Sequence, residues 1–362
     1  MTGPRVRIPA GMAPRTAMDM QTGYRIHEWG TDPVWEEFAR PSPGPNEVLV
    51  EVEACSVGLT VLNCINGDIA DDPALLPRVP GHEVIGRVVE AGIGAGRDLV
   101  GRRVASYTYL ACGRCLECLA GTDSRCRNLR GWVGVHIDGG YAPFSVLPAH
   151  NAIPLPAAID PVAATVICDA ASTSVHVCRS RAKVEPIDRV AVIGAGGGIG
   201  IHLVQVAQLY GARVAALDVD DRKLAALEDL GASPVRSDNF DAVDPEQLWS
   251  DGPPTVIVDL VGSEASLEWS SGALGKGGRM IVLTTFRNRT FTADPRSLVF
   301  REASILGSLS FSRLELAMAA QLVASGRIRP IIGAEAPPAD VHRLHDLLRS
   351  GELIGRGALR RT

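Results

Sequence analysis

The stretch Val190-Ala191-Val192-Ile193-Gly194-Ala195-Gly196-Gly197-Gly198-Ile199-Gly200 decides the architecture. Its four apolar residues read as a buried strand, and the glycines allow a tight turn straight into a helix. Ile199, Leu203, Val206 and Tyr210 then recur at steps of four, three and four, so they share the helix face packed on a sheet. In this setting glycines let a pyrophosphate approach the helix N-terminus, where unpaired N-H groups and the dipole attract an anion. Gly194, Gly196, Gly197, Gly198, Ile199 and Gly200 are therefore expected to hold a dinucleotide. Further on, the apolar runs Val214 to Leu217, Val256 to Leu260 and Met280 to Leu283 alternate with helical segments, the pattern of a parallel sheet with crossover helices. Asp218 ends the second strand, where a carboxylate accepts both ribose hydroxyls and repels a 2'-phosphate. NAD(H) is expected over NADP(H), although Arg222 and Lys223 close by leave a phosphate site open.

Upstream the period changes. Short alternating stretches such as Glu47-Val48-Leu49-Val50-Glu51-Val52-Glu53, broken by Gly and Pro, predict a β-rich unit with long loops. Within it, Cys112, Cys115, Cys118 and Cys126 have a spacing that brings four thiols around one soft ion, predicting a tetrahedral zinc with no open position. The last sixty residues carry another strand, Ser304 to Leu309, two amphipathic helices and a closing Arg356-Gly357-Ala358-Leu359 strand, and are expected to return to the β-rich unit. Residues 1 to 23, with Arg5, Arg7 and Arg15 against Asp19, are expected to form a mobile extension, with a start at Met12, Met18 or Met20 also open.

At 362 residues with 46% hydrophobic content, the chain exceeds one ordinary domain and suits two aliphatic cores. A net charge of -5 and a pI near 5.9 argue against a nucleic-acid partner, since no basic cluster offers counterion release. No apolar run approaches the roughly 20 residues that cross a bilayer, and no secretory stretch opens the chain. The expectation is a cytoplasmic protein with a small-molecule substrate and no membrane partner.

In their order, Pro80-Gly81-His82-Glu83, the four-cysteine loop, Asp138-Gly139-Gly140-Tyr141-Ala142, the glycine loop, Gly277-Gly278 and Gly355-Arg356 resemble the zinc-containing alcohol dehydrogenases of the medium-chain dehydrogenase/reductase family. The resemblance runs from Tyr24 to the C-terminus. It implies an α/β fold, with a GroES-like catalytic domain (24-168 and 305-362) interrupted by a Rossmann domain (169-304), an active site in the cleft between them, and a homodimer or homotetramer. It also implies that Arg356 contacts the pyrophosphate, that Lys223 supports the adenosine ribose, and that Ser172 or Thr173 places a hydroxyl near the nicotinamide.

The departures bear on chemistry. The family holds its catalytic zinc with a Cys, the His of the Gly-His-Glu turn and a later Cys. Aligned on that pattern, Gly58 stands at the first Cys, Thr60 at the hydroxyl relay, Val61 at the supporting Asp and Asn63 at the relay His, while His82, Glu83 and Cys168 remain. Leu59 replaces a residue that often binds phosphate. Two ligands do not complete a zinc site, so one structural zinc is expected and a catalytic zinc is not. Glu83 as a third ligand, a three-residue shift that makes Cys55 the first Cys, or completion by Cys64 or Asp169 are the alternatives. Thr60, His82, Glu83 and Cys168 are the candidate catalytic residues. The expected activity is NAD(H)-dependent hydride transfer to or from an alcohol or carbonyl. The alternatives are zinc-independent reduction of a carbon-carbon double bond conjugated to a carbonyl, and a cofactor-binding protein that has lost catalysis.

Overall fold

Apolar residues on both faces of a strand call for cover on both sides, and this is where the glycine-loop strand sits. The computed structural model describes residues 19–284 and 290–361. Among these, β1 (Met20–Arg25) and β2 (Val34–Ala39) form an antiparallel hairpin. β3 (Glu47–Val57), β4 (Val84–Ala91), β5 (Arg103–Ser106), β6 (Phe144–Pro148) and β7 (Ala152–Pro154) build most of a seven-stranded sheet. β8 (Arg189–Ile193), β9 (Arg213–Asp218), β10 (Ser233–Arg236), β11 (Val256–Asp259), β12 (Arg279–Val282) and β13 (Ser304–Gly307) form a parallel sheet in the order β10-β9-β8-β11-β12-β13. This is the doubly wound order, reversing beside β8, and ligands bind at such switch points beyond the carboxyl ends of the strands. β14 (Ile332–Ala336) and β15 (Arg356–Arg360) return to the first sheet, β15 lying antiparallel against β3.

The helix Gly200–Leu209 follows the glycine loop and is buried from Gly200 to Ala207. Gly194 makes the turn possible with a φ of 75°, a left-handed value that side chains with a Cβ resist. β3 is central in the first sheet, and its Val48, Leu49, Val50 and Val52 are all buried.

Three expectations need correction. Met20 to Gly23 are not part of an extension: they lie in β1, and Gln21, 6% exposed, accepts a hydrogen bond through Oε1 from the Phe144 N-H at 3.0 Å. The hairpin partner and this contact order a segment whose composition alone looked unfoldable; residues 1–18 lie outside the described residues. The strand starting at Ser304 does not join the returning segment but pairs with β12 as the edge of the parallel sheet. Finally, the helical run Pro161–Arg181 is long and apolar enough to cross a membrane by length and composition, yet 78% of its window is buried inside the protein.

Candidate active site

One cavity collects the glycine loop and the segment where the catalytic ligands would stand. It is lined by Gly194, Gly197, Gly198, Ile199 and Gly200, by Gly58, Thr60 and Asn63, and by Lys223 and Arg356. Gly196 and Asp218 lie directly behind this lining, with the Gly196 N-H donating to Asp218 Oδ2 at 2.8 Å. Asp218 is 6% exposed at the end of β9, and its Oδ1 accepts from the Val219 N-H. Lys223 Nζ donates to the Gly351 carbonyl at 2.7 Å while its stem crosses Gly196, where a Cβ would lie 2.7 Å from Lys223 Cγ. The glycines here are demanded by close approach as well as by the turn. At Gly198 a Cβ would lie 2.5 Å from Arg356 Cδ.

Arg356 is the pivot of the site. From the first residue of β15 its stem passes Gly198, and its guanidinium turns inward under Gly58. A Cβ on Gly58 would stand 2.6 Å from Arg356 Cζ and 2.8 Å from Nη2. The buried guanidinium pairs through Nη2 with Glu83 Oε1, lies 3.5 Å from Asp169 Oδ2, and donates from Nε to Ser56 Oγ at 3.1 Å. Burial works against the charge on Arg356, but Glu83 and Asp169 outweigh it and hold the pKa above the ordinary arginine value. Burial raises the Glu83 carboxyl while Arg356 opposes the rise. Asp169 is held in turn by the Thr173 hydroxyl at 2.9 Å.

His82, 4% exposed, has Nε2 3.5 Å from Glu83 Oε1, and its carbonyl accepts from Ser106 Oγ at 2.7 Å. His82 Nδ1 and Glu83 Oε2 are buried without a hydrogen-bond partner. The ligand atoms of His82, Glu83 and Asp169 come within 4.8 Å of one another. Cys168 is not in this group: it is fully buried, with Sγ toward the Val84 carbonyl at 3.6 Å, and burial raises its thiol pKa well above the ordinary value. Nor is Cys55, because Ser56 faces Arg356 and successive strand residues face opposite ways. A zinc held in the family's manner does not fit here. Gly58 gives no ligand, Cys168 does not converge, and a fixed guanidinium already pairs with Glu83 and lies beside Asp169.

The four-cysteine loop does fit a metal. Cys112, Cys115, Cys118 and Cys126 offer sulfurs within 4.8 Å of one another. Cys115 Sγ lies 3.5 Å from Cys118 Sγ and 3.8 Å from Cys126 Sγ, against about 3.8 Å between sulfurs around a tetrahedral zinc. The Cys112 N-H donates to Cys126 Sγ at 3.3 Å, which ties the two ends of the loop together.

Other assignments fall differently. Arg356 lines the cavity beside the glycine loop, where its expected pyrophosphate contact would fall, while its Nη2 and Nε are engaged by Glu83 and Ser56. Ser172 donates to the Ile167 carbonyl and is fully buried, so it is not a free hydroxyl beside the nicotinamide. Tyr107, Leu110 and Trp132 do not line the cavity that holds the glycine loop; Tyr107 donates to the Phe311 carbonyl and Trp132 packs on Tyr109. Sequence reasoning missed His202. Its Nε2 accepts from the Ile331 N-H at 3.1 Å, so Nδ1 carries the proton and donates to the Gly198 carbonyl at 2.8 Å. Burial lowers its pKa to about 4, keeping it neutral as a tie between the glycine loop and the returning chain. Its position four residues after Gly198 was the available signal.

Comparison with known families matches residues 44–157 to the alcohol dehydrogenase GroES-like domain and residues 198–325 to zinc-binding dehydrogenase. An alcohol dehydrogenase of Geobacillus stearothermophilus is 31% identical over 332 residues, 90% of this chain and 94% of that protein. A thermostable alcohol dehydrogenase from Pyrobaculum aerophilum superposes with a TM-score of 0.86 at 30% identity, covering 95% of this chain and 100% of that one. The acetophenone reductase of Geotrichum candidum, solved with NAD, gives a TM-score of 0.84 at 26% identity over 96% of this chain and 98% of its own.

Proposed function

Because this chain belongs to the medium-chain dehydrogenase/reductase family, in its zinc-type alcohol dehydrogenase-like branch, we propose that it moves a hydride between NAD(H) and an alcohol or carbonyl substrate without a catalytic zinc. The observation that carries the reading is the Arg356 guanidinium, packed where a side chain at Gly58 would stand and paired with Glu83. In the proposed reduction, hydride passes from the nicotinamide to the carbonyl carbon, and the oxygen takes a proton from the Thr60 hydroxyl, which solvent restores. Arg356, which lines the cavity and is held charged by Glu83 and Asp169, would offer its remaining N-H groups to the developing oxyanion. Asp218 behind the glycine loop supports NAD(H) over NADP(H), and the four cysteines would hold one structural zinc that ties down their loop without entering the reaction.

Conjugate reduction is the second reading, favoured by the same arrangement. An enolate spreads its charge, so a hydroxyl and a guanidinium ask less of the site than an alkoxide does. The test joins zinc content per chain, measured by mass spectrometry after dialysis against a mild chelator, with NADH-dependent turnover of ketones, aldehydes and enones. One zinc per chain and a kcat lowered about 100-fold or more by Thr60→Val, with NADH affinity unchanged, are expected. A second zinc that disappears in His82→Ala would overturn the zinc-free reading. Wild-type turnover by Thr60→Val would remove Thr60 from the mechanism.

A further inference from the structure

A second cluster of ligating side chains lies away from the active site, where the turn between β1 and β2 meets the helix Val341–Arg349. His342 and His345 stand three residues apart on that helix, and Asp32 comes from the turn. Each offers one ligand atom, and the three atoms lie within 4.8 Å of one another. From these residues we propose a binding site for a divalent cation of the zinc class, built from two imidazoles and one carboxylate.

The state of His345 is what points to a ligand. The residue is fully buried, its Nε2 lies 3.1 Å from the Tyr141 hydroxyl, and its Nδ1 has no hydrogen-bond partner. Buried polar atoms are nearly always paired, so an orphaned ring nitrogen calls for an explanation. Metal-bound histidines characteristically fix one ring nitrogen by a hydrogen bond and leave the other for the metal, which is the arrangement here. The second imidazole is also oriented: His342 meets Tyr24 edge-on with ring centroids 5.2 Å apart, and meets His345 at 89° with centroids 6.0 Å apart. Tyr24 is itself anchored, its hydroxyl donating to the Ala339 carbonyl.

Arg349 is the group that competes for Asp32, at 2.9 Å from Oδ1. It also reaches Asp346 at 3.2 Å, so it keeps a carboxylate if Asp32 turns to a metal. With neutral imidazoles, Asp32, Asp346 and Arg349 sum to one negative charge, which suits an incoming cation. Two nitrogens and one oxygen select zinc, cobalt or nickel over calcium or magnesium, with solvent completing the coordination. Occupancy would clip the β1-β2 turn to a helix that ends at the cofactor cleft, since Leu348 and Gly351 line that cavity.

The experiment is calorimetric titration of zinc into the full-length protein with its four-cysteine loop already filled. Wild type is expected to take up one further zinc per chain and to melt at a higher temperature with it. His342→Ala and Asp32→Asn alter the solvent side of the cluster and leave buried His345 in place; each is expected to lose this zinc or to weaken it about ten-fold or more, while His82→Ala keeps it. No zinc beyond the four-cysteine loop in wild type would overturn the proposal. So would a further zinc that survives both His342→Ala and Asp32→Asn. Loss of the further zinc in His82→Ala alone would place it in the active site, overturning this proposal and the zinc-free reading for separate reasons.

Discussion

At Gly58 an added Cβ would stand 2.6 Å from Arg356 Cζ, so the two positions pack as a pair although nearly 300 residues separate them. Gly58→Cys is expected to destabilise the protein by about 1–3 kcal/mol through overpacking and to bind no additional metal while Arg356 stays. Arg356→Ala alone leaves Glu83 fully buried beside Asp169 without its cation, which costs about 3–5 kcal/mol. In the double variant the new thiol enters vacated space beside His82, Glu83 and Asp169, and a zinc is expected to bind there. Urea unfolding of the single and double variants measures the coupling. Additivity within about 0.5 kcal/mol would show that the two positions are not packed against each other. The sequence showed that a ligand was missing at Gly58. It did not show that an arginine from the far end of the chain fills the space, because side-chain direction there is set by the pairing of β15 with β3.

Among the elements, the helix Arg313–Ala324 begins with a capping box, Ser312 and Glu315 each bonding the other's backbone N-H. The spacing of Ser312 and Glu315 announces that cap in the sequence. The extra load on Glu315 was not announced: it also takes His176 Nδ1 at 2.9 Å and the Ser180 hydroxyl at 2.5 Å. Burial works against its charge, but His176, Ser180 and Ser312 outweigh this and lower its pKa to about 2 from 4.5. A carboxyl lowered in the folded state contributes stability that is fully present above the unfolded value and is lost as pH falls through the folded one. About 3 kcal/mol is therefore expected at neutral pH, declining between pH 4.5 and 2. Glu315→Gln should remove that decline, read by denaturant unfolding at several pH values; an unchanged slope would refute the assignment. The buried parallel strands were legible to within a residue, since apolar runs flanked by turns leave little choice. β1 was not, because its polar residues gain order only from β2 and from Phe144.

Across the whole molecule, the four-cysteine loop is joined to the returning chain by Arg313, whose Nη2 lies 2.8 Å from Asp123 Oδ1. Stripping its metal with a strong chelator is expected to remove on the order of 10 kcal/mol of local stabilisation, exposing the loop to proteolysis between residues 112 and 130 while the parallel sheet stays folded. Limited proteolysis with mass spectrometry reads this directly, and an uncut loop after metal loss would mean that packing alone holds it. The glycine loop and the cysteine cluster were decided by the sequence itself, because a turn angle at Gly194 and a ligand spacing over fifteen residues are local properties. Placing Arg356 against Glu83, His202 under the glycine loop, and Asp32 beside His342 and His345 needed the tertiary structure. The contacts of Arg356 and Asp32 join segments 273 to 313 residues apart and the tie of His202 to Ile331 spans 129, and their direction depends on which face of each strand or helix is buried.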